Sequence, residues 1–261
     1  MTTWVFLRGL TREARHWGDF PDRFRAAFND DAAGMEILTP DLPGNGRLHG
    51  LNSPLSVDEM MESCRQQLRD QGKAPPYHLL ALSLGGMVAL AWALRYPEEC
   101  RAAVLMSTSL RPYSPFFDRL RPRGWPILLR LIPARGLARE RAILQLTSAR
   151  AAELQAVLPN WVAYARECPV SRIGALRQLV AAARFKALDK PVVPLLFLAG
   201  AVDRMVHPDC SDRLARAWNA DFFLHPRAGH DLTLDAGDWV VQAVKTWLKS
   251  GRVDRHASVV D

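Results

Sequence analysis

Six short apolar runs punctuate the chain: Thr3–Leu7, Met35–Thr39, Tyr77–Leu82, Ala102–Ser107, Pro194–Ala199 and Phe222–His225. Continuous apolar runs of this length, separated by helical patterns, predict buried strands of a parallel sheet covered on both faces. Between them, Asp19–Phe28 and Ser56–Arg69 are amphipathic, and Ser56 with Glu59 three residues later resembles a capping box. Met87–Arg95 predicts a helix that stops before Pro97. Ser211–Trp218 and Trp239–Lys249 predict two more, the last with Lys245 and Lys249 near its C-terminal end, where the helix dipole favours cations.

The alternation breaks between Ser109 and Lys190. This stretch contains no strand-like run, only helical patterns divided by prolines at 112, 115, 122, 126, 133, 159 and 169. In Ser171–Ala187, the apolar positions Ile173, Leu176, Leu179, Val180 and Ala183 form one stripe at helical spacing. An α/β core over 1–110 and 188–250, an all-helical insertion over 111–187 and a polar, flexible tail over 251–261 are therefore expected, with His256 in the tail idle.

Charge sharpens this division. From Arg111 to Ala187, thirteen arginines and one lysine face four acids, a balance of +10, so the rest of the chain carries −3 of the overall +7. No helix-turn-helix, zinc finger or aromatic RNA platform accompanies the charge, which argues against nucleic acid as the partner. No apolar run reaches the roughly 18–20 residues of a membrane span. No basic leader or small-residue cleavage site precedes the first apolar run, and Cys64, Cys100, Cys168 and Cys210 lack CxxC spacing. A cytoplasmic protein without a disulfide framework is expected.

Three segments carry candidate chemistry. Leu79-Leu80-Ala81-Leu82-Ser83-Leu84-Gly85-Gly86 places a serine between a strand and a helix, with small residues two positions before and after. That is the pattern of a nucleophile elbow, whose sharp turn tolerates only small neighbours; Ala81 stands where glycine is usual. A phosphate-binding or packing turn is the alternative for the segment taken alone. Asp203 follows the fifth run by a few residues, and His230 follows the sixth, after Gly229. Serine needs a base in hydrogen-bonding reach, and the base needs an acid to fix its tautomer. Asp209, Asp231 and Asp235 are weaker candidates for that acid, the first because it lies deeper in the following helix, the others because they are too near His230 in sequence. His16, His49, His78, His207 and His225 are expected to be structural.

The order Ser, acid, His, on three strand ends, is similar to that of the α/β-hydrolases. From Thr3 to about Leu248 the chain resembles a capped member of that superfamily. Further matches are Phe6-Leu7-Arg8-Gly9-Leu10 after the first strand and the structural turn Asp41-Leu42-Pro43-Gly44-Asn45-Gly46-Arg47 after the second. The resemblance implies a mostly parallel sheet, here of six strands because the chain starts at what is normally the third, with helices on both faces and an all-helical cap. It also implies an oxyanion hole from the N–H groups of Leu10 and Leu84, and a cap lined toward substrate by Trp125, Ile127, Leu128, Leu131, Trp161 and Tyr164. Arg8 stands where the family usually has histidine. It either supports the oxyanion loop through backbone hydrogen bonds or holds a substrate carboxylate or phosphate.

The activity implied is hydrolysis of a small ester or thioester through an acyl-enzyme, with neither metal nor organic cofactor. The same scaffold also serves cofactor-free elimination or cyclisation, as in menaquinone-pathway synthases, and ligand reception with little turnover. The basic insertion either presents solvated helix faces or recruits an acidic partner: an acyl-coenzyme A, an acyl carrier protein or an anionic membrane surface.

Overall fold

A computed structural model describes residues 2–28, 34–131 and 133–250; the tail at 251–261, with His256, lies outside them. The six apolar runs all become strands: β1 (Thr2–Leu7), β2 (Met35–Leu38), β3 (Tyr77–Leu82), β4 (Cys100–Met106), β5 (Leu195–Gly200) and β6 (Asp221–His225). They pair in parallel throughout, in the order β2-β1-β3-β4-β5-β6. The chain therefore moves outward to β2, returns past β1 to β3, and then proceeds in the other direction. The reversal leaves a crevice at the carboxyl ends of β1 and β3, where open parallel sheets bind ligands.

Each strand's alternate residues face opposite layers. Val5, Leu7, Leu79 and Ala81 enter one core with Met60, Met61, Val88 and Leu214. These last residues belong to α2 (Val57–Asp70), α3 (Leu84–Arg95) and α9 (Asp209–Ala217). Trp4, Phe6, Leu80 and Val104 enter a second core with Phe20, Phe24, Val240 and Trp247, supplied by α1 (Phe20–Ala27) and α10 (Leu232–Lys249). Ser56 caps α2 by accepting from the Asp58 N–H at 3.2 Å, a simple serine cap rather than the reciprocal box with Glu59. Helix α3 begins three residues earlier than its periodicity suggests, because every residue from Leu84 to Ala93 is buried and no polar face marks the first turn. Helix α10 also begins earlier, at an Asp231 N-cap, and is kinked at Ala236.

Between β4 and β5 the described chain forms α4 (Phe116–Arg119), α5 (Trp125–Leu131), α6 (Gly136–Thr147), α7 (Leu158–Glu167) and α8 (Arg172–Arg184). The two ends of this insertion meet where Arg111 pairs with Lys186 through the backbone. It has its own small core of Ile143, Leu144, Leu158 and Trp161. The stripe on α8 is not buried by packing: Ile173 and Leu176 are 70% and 60% exposed. Among the described residues, no helix is long and apolar enough to cross a membrane.

Candidate active site

Ser83 is the one residue between the end of β3 and the start of α3, and it takes up φ 57°, ψ −116°. A non-glycine residue in that region is strained, and strain of this kind persists only where surrounding contacts impose it. Here the Ser83 N–H donates to the Met106 carbonyl at 2.8 Å, and its own carbonyl accepts from the Gly86 N–H and the Thr108 hydroxyl. Gly85 is required by space: a Cβ there would lie 2.3 Å from the Leu7 carbonyl oxygen. The α3 N-terminus is thereby pressed against the end of β1. Ala81 is fully buried at the position where glycine is usual, its methyl accommodated.

Leu7 stands opposite Ala81 across the β1–β3 ladder, so the Arg8-Gly9-Leu10 turn lies beside Ser83. A Cβ on Gly9 would sit 3.2 Å from that of Ser83. Leu84 opens α3, so its N–H has no carbonyl one turn back in the helix to bond.

His230 Nδ1 lies 2.7 Å from Asp203 Oδ2, with both side chains buried. The other Asp203 oxygen accepts from the Met205 and Val206 N–H groups at 2.7 and 3.0 Å, which fixes the carboxylate. Nε2 of His230 is buried without a partner, and both Ser83 and His230 line the same cavity. Burial alone would pull the imidazole pKa down, but the adjacent Asp203 charge and hydrogen bond outweigh it and hold the pKa above its ordinary value.

Arg8 has a partner that neither expectation named. Its guanidinium grips Asp231 at 2.6 and 3.4 Å, both side chains almost wholly buried, and lies over the Trp17 ring. Arg8 lines the cavity with its guanidinium paired to Asp231 and its Nε buried without a partner. Burial pushes the Asp231 carboxyl up, and Arg8 more than reverses this, leaving its pKa below the usual range. The pair joins the turn after β1 to the loop bearing His230. His230 Nδ1 meets Asp203 rather than Asp231, and the pairing of Asp231 with a residue 223 positions away has no local signal.

The insertion holds both loops of the His–Asp pair. Arg121 donates to the Asp203 carbonyl, and the Arg121 N–H donates to the Met205 carbonyl at 2.8 Å. On the histidine side, the Asp231 N–H donates to the Thr147 carbonyl at 2.8 Å. Asp235 accepts from the Ser148 hydroxyl and the Ala149 N–H, and also from the Gly229 N–H one residue before His230. A further buried pair, Arg12 with Glu140 at 2.6 Å, ties α6 to the segment after β1.

The cavity over Ser83 has a volume of about 750 Å³. Trp125, Leu128 and Leu131 line it as the sequence suggests; Ile127 does not. Trp161 and Tyr164 also lie elsewhere. The Arg12 guanidinium covers Trp161 and the Arg15 guanidinium covers Tyr164, each at 4.3 Å from the ring centroid, and both rings touch His16. Helix α7 thus turns its aromatic face toward the segment after β1, away from the cavity. Sequence reasoning missed Leu176 and Leu179 of α8, Ile143 and Leu146 of α6, and Met205 as cavity walls. The α8 stripe was the available signal: an apolar face at helical spacing, of which Ile173 and Leu176 stay exposed. A second chamber of about 560 Å³ shares Leu10, Ser83, Phe116, Leu120, Leu179 and Met205 with the first and adds Leu84.

Comparison with known proteins agrees with this geometry. Residues 4–243 match the family model described as the alpha/beta hydrolase family. Over 98 residues, 36% of the chain, it is 32% identical to the uncharacterized protein YbdG of Bacillus subtilis. Over 114 residues, 44% of the chain, it is 29% identical to 2-hydroxy-6-oxononadienedioate/2-hydroxy-6-oxononatrienedioate hydrolase 1 of Pseudomonas putida. The matches span 30% and 39% of those two proteins' lengths. Among solved structures, a hydrolase from Pseudomonas aeruginosa superposes with a TM-score of 0.73 at 20% identity, over 95% of this chain and 89% of that one. The 2-hydroxy-6-oxo-6-phenylhexa-2,4-dienoate hydrolase BphD from a Rhodococcus strain superposes with a TM-score of 0.71 at 20% identity, over 95% and 90%. A strained serine turn on β3, a buried His–Asp pair beyond β5 and β6, and a family match over nearly the whole length together make this chain a member of the alpha/beta hydrolase family.

Proposed function

We propose that this protein is a serine hydrolase that cleaves a small-molecule ester or thioester through an acyl-enzyme. The observation that carries the reading is Ser83 facing the same cavity as the unpartnered Nε2 of His230, whose Nδ1 is held by Asp203. In this scheme Ser83 Oγ attacks the substrate carbonyl carbon while its proton passes to His230 Nε2. Asp203 keeps the proton on Nδ1 and stabilises the imidazolium. The carbonyl oxygen becomes an oxyanion that accepts from the N–H groups of Leu10 and Leu84, the latter at the positive end of α3. Collapse of this intermediate breaks the bond to the leaving oxygen or sulfur, which receives the proton from His230. Water, deprotonated by the same imidazole, then attacks the acyl carbon and releases the acid and Ser83.

The scheme uses neither metal nor organic cofactor, and the insertion acts in it as a cap over the serine. A cytoplasmic protein acting on a dissolved or carrier-bound acyl group completes the reading. Labelling with a fluorophosphonate probe tests it directly: wild type reacts, and Ser83→Ala does not. The same Ser83→Ala change is expected to lower kcat on a turned-over ester by roughly 10⁴-fold or more. Folded wild type that neither labels nor hydrolyses a panel of esters and thioesters of increasing acyl length would overturn the proposal.

A further inference from the structure

The two chambers that meet at Ser83 differ in chemistry. The second is walled by the turn after β4 and the chain leading into α4, and it contains Ser107, Arg111 and Arg119 but no acid among its described lining residues. Ser107 is held at φ 49° and is 2% exposed. Its N–H is occupied by the Leu198 carbonyl, and its hydroxyl has no partner. Arg119 donates to the Ala182 and Ala183 carbonyls at the end of α8, while its Nε is buried and unpartnered. Among the described residues, neither Arg111 nor Arg119 pairs with a carboxylate. The neighbouring Asp118 is taken by Arg213 at 2.6 Å. Burial is the main cause that depresses the Arg119 pKa; Cys210 opposes it and the Arg111 charge adds to it. A buried hydroxyl and a buried guanidinium N–H left without acceptors are uncommon in folded proteins, and a ligand that brings acceptors to them relieves that cost.

The reaction itself assigns the chambers. His230 lines the first and not the second, and the proton it delivers goes to the leaving atom. The leaving group therefore occupies the first chamber and the acyl group the second. We propose that the second chamber binds an acyl group ending in a carboxylate, held by Arg111 and Arg119 with a hydrogen bond from the Ser107 hydroxyl. The substrate class is then the half-ester or half-thioester of a dicarboxylic acid. This inference rests on the acyl-enzyme reading above.

The test compares 4-nitrophenyl hydrogen adipate with 4-nitrophenyl hexanoate, which share a leaving group and a six-carbon acyl chain. Wild type is expected to favour the adipate in kcat/KM by about tenfold or more, since each charge-assisted hydrogen bond is worth at least that. That ratio is expected to fall toward unity in Arg111→Gln and Arg119→Gln, with thermal melting and fluorophosphonate labelling confirming that each variant is folded. A wild-type ratio at or below one, or a ratio that neither variant changes, overturns the proposal while leaving the serine hydrolase intact. If Ser83 does not label and neither ester turns over, the hydrolase reading fails and calorimetric titration with monomethyl adipate decides the chamber separately. Binding that is lost in Arg119→Gln supports the anion site, and no binding by wild type overturns it.

Discussion

Replacing Arg8 with methionine isolates a buried arginine–carboxylate pair beside the candidate site. The side chains of Arg8 and Asp231 are 5% and 4% exposed, and the shortest approach is 2.6 Å. With the charge centres about 4 Å apart and an effective dielectric near 20, their attraction is about 4 kcal/mol. Removing one partner also strands the other charge in the interior, and breaking buried pairs in this way costs about 3–5 kcal/mol. For a chain of this size, that is a fall in Tm of roughly 10 °C. Asp231→Asn should cost somewhat less, because the amide still offers an acceptor to the Thr233 hydroxyl and the Leu234 N–H. The double variant Arg8→Met with Asp231→Asn should recover about 2 kcal/mol or more of the summed loss in a double-mutant cycle. The pH dependence has a definite sign. Asp231 has a depressed folded pKa, so the pair's contribution is complete above the unfolded value near 3.9 and disappears as pH falls through the lower folded value. Urea midpoints at pH 7 and pH 3 measure all of this. Single variants within about 0.5 kcal/mol of wild type, additive in the cycle, would refute the argument.

Three further outcomes follow from the same geometry. The acid limb of the pH profile of kcat/KM is expected above the ordinary histidine value near 6.5, because Asp203 holds His230 protonated to higher pH; Asp203→Asn should move that limb down and cut kcat by about 10⁴-fold. Stability has the opposite dependence at that group: the imidazolium–carboxylate contribution is full below about 6.5 and fades as pH rises through the raised folded pKa, which thermal melting against pH will register. Gly85→Ala drives a methyl into the Leu7 carbonyl, and a loss of at least about 1–3 kcal/mol in urea unfolding is expected even though alanine favours helix.

The strands were legible because each is an apolar run bounded by polar turns, and parallel sheets bury such runs on both faces. Ser83, Asp203 and His230 were legible because each follows a strand within a few residues, so local sequence fixes its place at the sheet's carboxyl edge. The partners of Arg8 and Arg12 were not, since Asp231 and Glu140 lie 223 and 128 residues away and nothing local marks the pairing. Trp161 and Tyr164 carried a misleading signal: large aromatic residues in the insertion suit a substrate wall equally well as a platform for arginines. The second chamber was silent because Ser107 and Arg119 are ordinary surface types whose meaning comes only from burial.

The hydrogen bonds from the insertion to the Asp203 and His230 loops bear on how such a protein can be altered. Residues that wall the cavity and residues that hold the His230 loop share one chain segment: Leu146 and Thr147 line the cavity, while Thr147, Ser148 and Ala149 bond to Asp231 and Asp235. Grafting a foreign insertion between β4 and β5 would therefore change specificity and loosen the histidine together, unless the graft retained the 147–149 backbone and the Arg121 contact. Under the proposed function, new substrate preferences are more readily reached by single changes on the exposed face of α8, where Leu176 lines the cavity and its apolar side chain can hydrogen-bond to neither loop. In engineering terms this insertion is a built-in brace and, under the proposed function, a filter as well.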